Sequence, residues 1–238
     1  DDGTIDKFDA TGSKATKPEL LNISKLNSFL SYKELLRTHL DYDDEINFFE
    51  IFVSEILKEH NLKTRGQLKS AWISLKDINI SDEIKKIKTS IGEDTDENIS
   101  EEQAKELIEI LESDYDAQIT KFNDEFDELL ESINQDITEI AKYFNQGITI
   151  KFELEKLTRE SLSKPNLNAK VDYAASKLPS HHKFLNEARL SAIAISIYLT
   201  ALQTNPTVGA MKFLFLDDIF LGLDLSNRLP LLDILKDK

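Results

Sequence analysis

The chain has 238 residues, of which 40% are hydrophobic, and a formal net charge of −15 at pH 7. This length can form one large domain or two smaller ones, each with a real core. The negative charge argues against the chain being a nucleic-acid grip by itself, because phosphate binding needs clustered Lys and Arg. No apolar run approaches the roughly 20 residues that span a bilayer, so no membrane association is expected. The absence of cysteine excludes disulfides and thiolate metal sites and fits a reducing cytoplasm.

The composition and apolar spacing of the first 99 residues predict a helical region with a flexible start. Residues 1–18 are polar and rich in Gly, Ser and Thr, which predicts a loop or tether. Apolar spacing predicts an amphipathic helix within 44–61 and another within 64–78, with Trp72 packed in the core. Residues 79–99 are charged and predict a surface connection. The chain starts without Met and closes on LLDILKDK, which reads as an unfinished helix, so both ends suggest a segment of a longer polypeptide.

An apolar seam with alternating spacings of three and four residues runs through 100–146. Its members are Ile108, Leu111, Tyr115, Ile119, Phe122, Phe126, Leu129, Ile133, Ile137, Ile140 and Phe144. The seam predicts an uninterrupted helix about 65 to 70 Å long. We assign 100–146 to a coiled-coil arm helix; a long helix packed within one domain is the alternative.

Residues 147–238 predict a third unit with strands and a buried helix. Gly147 is expected to end the long helix, and alternation from Ile148 to Leu154 predicts a strand. Residues 168–175 predict its partner strand, after a turn that contains a proline. From Ala188 to Leu202 nearly every face is apolar, which predicts a helix buried on most sides.

The stretch MKFLFLDD predicts a central strand, covered on both faces, that ends on Asp217 and Asp218. Ligands of open α/β sheets bind at the carboxyl edge of the strands, where these two acids would lie. There Asp217 would hold Mg²⁺ and Asp218 would polarise an attacking water. The alternative is that the two acids merely cap the helix that follows.

Two stretches carry a resemblance to a known family. FLFLDD followed by LGLDLSNR resembles the Walker B strand and D-loop of ABC-type ATPase heads, in the SMC, RecN and RecF branch. LNEARLSAIAISIYLTAL at 185–202 resembles the signature motif of that branch and its buried helix. The order of the motifs and a coiled-coil helix ahead of them are also those of the family. The resemblance covers about residues 100–238, and FLSYKELLRTHL resembles a bacterial subgroup.

The resemblance implies the α/β P-loop NTPase fold: the C-terminal lobe of an ABC ATPase, preceded by a mostly α-helical part with a long coiled-coil helix. In the signature motif Asn186 takes the place of the family's serine and Ala188 that of a glycine, with Glu187 and Arg189 beside them. These residues, with Asp224 of the D-loop, would bind ATP held by a second head. A head–head homodimer would therefore complete the site.

The sequence departs from the family pattern in three ways. Asn186 and Ala188 replace serine and glycine, which would alter the contact with phosphate. Asp218 stands where the family usually has glutamate, which implies slow rather than absent hydrolysis. No G-x-x-x-x-G-K-[ST] occurs, so the P-loop lobe would come from an earlier stretch of the same polypeptide or from another chain.

The resemblance thus implies a cytoplasmic ATPase that, as part of the complete protein, uses ATP and Mg²⁺ to drive DNA handling in repair or anti-phage defence. DNA would bind through the complete assembly, and an effector such as a nuclease would be a further partner. Two alternatives stay open. One is a non-enzymatic helical scaffold, and the other is a degenerate partner subunit that contributes only its signature face.

Overall fold

The computed structural model describes residues 8–9, 12–13, 27–31, 47–91, 99–144, 147–174, 176–178, 185–204, 213–221 and 223–237. The strands are β1 (Phe8–Asp9), β2 (Gly12–Ser13), β3 (Asn27–Ser31), β4 (Asn61–Leu62), β5 (Gly66–Gln67), β6 (Ile148–Leu154), β7 (Leu167–Tyr173), β8 (Ser176–Leu178) and β9 (Phe213–Asp217). The α-helices are α1 (Phe48–Ile51), α2 (Leu68–Lys76), α3 (Ile80–Thr89), α4 (Glu101–Tyr143), α5 (Glu187–Thr204) and α6 (Leu225–Asp237). None of these helices is long and apolar enough to cross a bilayer.

Both helices predicted in the N-terminal part are present with shorter bounds. A π-helical turn over Phe52–Ile56 continues α1, and α2 lies inside the predicted 64–78 segment. Trp72 is buried in the core, as predicted, with its ring 4.8 Å from that of Phe49 in an edge-on contact. Of the tether predicted for 1–18, only β1 and β2 lie within the described residues, and they pair antiparallel.

The segment 79–99, predicted as a charged surface connection, has the helix α3 in its first half. The side chain of Asn79 caps this helix by accepting a hydrogen bond of 3.2 Å from the backbone N–H of Asp82. Ile80, Ile84 and Ile87 share one face and are half-buried where α3 packs against α4. No residue of α3 is fully buried. The high charge is therefore that of a surface helix.

Helix α4 confirms the prediction of a long uninterrupted helix. It spans 43 residues, which at a rise of 1.5 Å per residue is about 65 Å. Its first turn is closed by a capping box in which Ser100 and Gln103 each bond the other's backbone N–H. The apolar seam and this cap together explain where the helix begins and which face it buries.

The seam of α4 packs mainly against other elements of the same chain. Seam residues from Tyr115 to Phe144 are buried, except that Leu129 is half-buried, as are Ile108 and Leu111 near the amino end. The elements in contact with α4 include α1, α2, α3, α5, α6, β4 and β6. The assignment of 100–146 to a coiled-coil arm, with the boundaries at 99 and 146, stays a prediction.

An antiparallel sheet in the order β6-β7-β8 follows α4. The strands β6 and β7 confirm the two predicted strands and pair from Ile148 opposite Tyr173 to Leu154 opposite Leu167. Burial alternates along β6, so one face of the sheet lies on the core and the other is polar. The third strand, β8, was not predicted.

The predicted strand before Asp217 is present as β9, and its partner is unexpected. It pairs in parallel with β3, from Asn27 opposite Phe213 to Ser31 opposite Asp217. Within the described residues β9 has this one neighbour, and the side chains of Leu214 and Leu216 are half-buried. The pairing therefore places residues 27–31 beside the strand that ends on Asp217, the predicted Mg²⁺ ligand.

Two hydrophobic cores share α4 and α5. The larger core contains buried residues of α1, α2, α4, β6, β7 and α5. The smaller contains Ile140 of α4, Ala194 of α5 and Leu231 of α6, with Leu214 and Leu216 of β9 packed against it. The elements that carry the predicted site are thus fastened to the carboxyl end of α4.

Replacing Phe126 by Ala is expected to destabilise the protein by about 3 to 5 kcal/mol, because the change opens a cavity in a packed aromatic cluster. Phe126 is fully buried, with its ring 5.9 Å from that of Phe49. Leu107→Ala on the exposed part of α4 is the control and should change the free energy of unfolding by less than about 0.5 kcal/mol. Denaturant unfolding measures both, and equal effects would contradict the packing described.

A buried carboxylate holds the β4–β5 hairpin to α4. Glu125 accepts hydrogen bonds from the backbone N–H of Thr64, at 3.1 Å, and from its hydroxyl. Burial by itself raises the pKa of Glu125, but the bonds from Thr64 and the nearby Lys121 and Arg65 lower it more, so the net pKa lies below its usual value of 4.5.

A carboxylate with a lowered pKa in the folded state adds stability above its unfolded pKa and loses it as the pH falls. We therefore expect Glu125→Gln to be less stable than the wild type at pH 7. The difference should shrink as the pH falls below about 4.5. Urea midpoints measured between neutral and acidic pH test this, and a difference that stays constant or grows on acidification would contradict it.

Candidate functional site

The carboxyl ends of β3 and β9 form an edge that carries polar residues. Because the two strands are parallel and in register, Ser31 and Asp217 end them side by side. Asp217 and the next residue, Asp218, are both exposed. This is the edge at which open α/β sheets place their ligands. Ser31 was not predicted from the sequence, because no local pattern in the sequence links residue 31 to residue 217.

The chain leaves β9 through a left-handed residue. Asp218 has φ of +54°, a conformation uncommon outside glycine and best tolerated by Asn and Asp. A short 3₁₀ turn follows at Ile219–Leu221, with Ile219 buried in the smaller core. Ile219, directly after Asp218, is buried and anchors the chain, whereas Asp218 is exposed.

The next helix, α6, is capped by a different aspartate. Asp224 accepts hydrogen bonds from the backbone N–H of Asn227, at 3.0 Å, and from the hydroxyl of Ser226, at 2.8 Å. These bonds close the first turn of α6, as expected for an N-cap aspartate. Asp217 and Asp218 are therefore not needed to cap α6.

The amino end of α5 is capped by Asn186. The side-chain oxygen of Asn186 accepts a hydrogen bond of 3.1 Å from the backbone N–H of Arg189. Asn186 and Glu187 are exposed and Ala188 is half-buried, whereas the helix is almost wholly buried from Leu190 onward. The turn from Asn186 to Arg189 is thus the end of α5 that meets solvent.

Asn227 joins the two helix ends. Its side-chain amide donates to the backbone oxygen of Ala188 at 3.4 Å, and the residue is only 1% exposed. The turn from Asn186 to Arg189 is therefore held next to Asp224. Asp217 and Asp218 form a second group at the strand edge. Asn227 was not predicted from the sequence, because it lies between the polar residues Ser226 and Arg228 and has no local pattern that sets it apart.

Two arginines near these groups are engaged within the chain. Arg189 donates to the phenolic oxygen of Tyr173 at 2.9 Å, and its guanidinium carbon lies 4.5 Å from the centroid of that ring. Arg228 donates to the backbone oxygens of Leu223, at 3.2 Å, and Phe220, at 3.1 Å. Arg228 therefore fastens the loop between β9 and α6.

The donors at the strand edge fit Mg²⁺ as part of a site. Protein Mg²⁺ sites use one or two carboxylates and complete the octahedron with waters and substrate phosphates. Asp217 is a carboxylate of this kind, whereas the described residues contain no group of three or more His, Cys, Asp or Glu that could hold a metal alone. The remaining ligands would have to come from outside the described residues.

A polar groove lies elsewhere on the surface. It has a volume of about 590 Å³ and runs between α4 and the polar face of β6, β7 and β8. Its lining includes Lys151, Lys170 and Lys177 and contains none of the predicted site residues. The lysines are balanced by Glu131, Glu153 and Asp172, so the groove is not a basic surface.

No protein-family model and no curated protein matches the chain. Among solved structures, it is similar to the Smc head domain with an extended coiled coil from Pyrococcus furiosus, which was crystallised bound to the C-terminal domain of ScpA. Sequence identity is 17% and the TM-score is 0.47, over 95% of this chain and 57% of that chain. The chain therefore spans little more than half the length of that head domain. A likeness of this degree does not establish a family.

Replacing Asn186 by Ala should destabilise the protein by about 1 kcal/mol, because α5 loses the acceptor for a first-turn N–H. Asn186→Ser is the matched control and should be nearly neutral, since serine caps helices as well as asparagine does. Chemical denaturation measures the difference between the two variants. Equal stability of the Ala and Ser variants would show that the cap contributes nothing.

Proposed function

We propose that this chain is part of an SMC/RecF-like ATPase that binds and hydrolyses ATP at the interface between two heads. The observation that carries the proposal is the carboxyl edge of β3 and β9, with the exposed pair Asp217 and Asp218. Support also comes from the capped amino end of α5, which Asn227 joins to α6. Such an ATPase would drive DNA handling, in repair or in anti-phage defence.

The two aspartates would have different roles. Asp217, the last residue of β9, would hold Mg²⁺, which when bound would neutralise charge on the phosphate oxygens. Asp218 would accept a proton from the attacking water, or orient it, as the catalytic carboxylate. Asp218 has a left-handed backbone, so the chain changes direction at this residue.

The amino end of α5 would meet nucleotide held by the second head. Backbone N–H groups of a helix's first turn and the helix dipole favour an anion at that end. Asn186, Glu187, Ala188 and Arg189 would form this surface, with Asp224 beside it through Asn227. A homodimer of heads would therefore complete each site.

Partners and location follow from the same proposal. The P-loop lobe would be supplied by the same polypeptide or by another chain, because the G-x-x-x-x-G-K-[ST] motif is not in these residues. The complete assembly would contact DNA and a possible effector subunit such as a nuclease, in the cytoplasm. The net charge of −15 agrees with DNA binding through other parts of the assembly.

A degenerate partner subunit is the second candidate. It is favoured by Asn186 and Ala188, which stand where the resembled motif has serine and glycine, and by the missing P-loop motif. Such a subunit would offer its signature face to a competent head without hydrolysing ATP itself.

The test uses the complete polypeptide that contains this chain, with ATP and Mg²⁺. Asp218→Asn should lower ATP turnover roughly 10²-fold or more and should trap an ATP-bound dimer, because the proton acceptor is lost. Asparagine tolerates the left-handed conformation, so the backbone should be preserved. Asp233→Asn, a charge change at an exposed site on α6, is the matched control and should leave turnover unchanged.

Steady-state phosphate release and light scattering read out the result. Turnover that is the same in both variants would contradict a catalytic role for Asp218. A wild-type protein that lacks turnover alone but stimulates a separate competent head would favour the degenerate subunit.

A further inference from the structure

Two buried asparagines of α4 bond the backbone of the chain that returns alongside it. Asn134 donates to the backbone oxygen of Phe152 at 2.9 Å and accepts from its N–H at 2.7 Å. Asn123 makes the same pair of bonds with Leu157, both at 3.0 Å. Asn123 is 4% exposed and Asn134 is 8% exposed. Each side-chain amide thus pairs with one residue's backbone as a neighbouring strand would.

The distance between the two bonded pairs is about the same along α4 and along the returning chain. Asn123 and Asn134 are eleven positions apart, which in a helix is about 16 Å. Phe152 lies in β6 and Leu157 lies three residues beyond its end; five residues of extended chain span at most about 17 Å, so the returning chain can cover the same distance. The helix and the returning chain run in opposite directions, so both pairs can form together in only one axial position.

The apolar seam alone would not define this position as strongly. A helix with apolar residues every three or four positions presents a similar surface after moving by one turn. Moving α4 by four residues would bring Ile119 and Leu130 to the places of Asn123 and Asn134. The N–H and C=O groups of Phe152 and Leu157 would then be buried without partners, which is strongly unfavourable.

We propose that Asn123 and Asn134 lock the axial register of α4 against β6, so that the long helix moves with this sheet as one body. The lock does not depend on the proposed ATPase activity. Since Ile140 and Phe144 at the carboxyl end of α4 pack in the same core as α5, the amino end of α5 also has a defined register relative to α4. Any displacement of α5 would therefore reach the amino end of α4, residues 101–114, without slippage.

Spin labels can measure the register, because the chain has no cysteine and two introduced ones are the only labelling sites. Gln118→Cys on α4 and Thr149→Cys on β6 are exposed positions toward opposite ends of the contact. The labelled protein should show one narrow distance by pulsed electron paramagnetic resonance. Asn123→Leu with Asn134→Leu should add a second distance, shifted by about 6 Å for a four-residue slide.

Gln135→Leu is the matched control, since it adds a leucine beside Asn134 on the exposed side of α4. This variant should keep the single wild-type distance. A folded double-leucine variant with only that same distance would overturn the proposal.

A second variant moves the lock rather than removing it. Ile119→Asn and Leu130→Asn, combined with Asn123→Leu and Asn134→Leu, should restore one narrow distance displaced by about 6 Å. A folded transplant with the original distance would overturn the proposal. If neither variant folds, only one register is available to α4. The asparagines then stabilise the fold without selecting between registers, and the proposal is overturned.

Discussion

The position of α4 against the β6 edge is the constraint on which the rest of the structure depends. An edge strand leaves a row of N–H and C=O groups unpaired, and a helix that covers it must satisfy them. Asn134 does so for Phe152, and Asn123 does so for Leu157 just beyond the strand. The apolar side chains between them supply the contact area, and the amides define where along the strand the helix sits.

From this position α4 reaches both cores. Its middle packs with α1, α2 and the sheet, whereas Ile140 and Phe144 pack with α5, β9 and α6. The candidate site therefore rests on a helix that is also anchored about 30 Å away by Glu125 and Asn123, at 1.5 Å per residue from Phe144. The solvent-facing acids of the site are carried by elements whose opposite faces are buried.

The candidate site combines exposed chemical groups with rigid supports. Asp217 and Asp218 meet solvent, but the residue after them is buried and Arg228 fastens the loop that follows. Asn186 and Asp224 each cap a helix, and Asn227 connects the two caps. Such supports would favour the binding of a second molecule, because the groups of the site need not be ordered on binding.

The sequence by itself determined the local elements: the 43-residue helix from its apolar seam, β6 from its alternation with β7 as the partner strand, and the buried α5 from its apolar faces. These patterns depend on neighbours a few residues apart, so they are readable without a fold. Only the tertiary structure decided that β3 pairs with β9, that Asn227 bonds Ala188, and that Asn123 and Asn134 bond the returning chain. Contacts of this kind join residues far apart in the chain or on different elements, and no local periodicity encodes which buried polar group will meet which backbone.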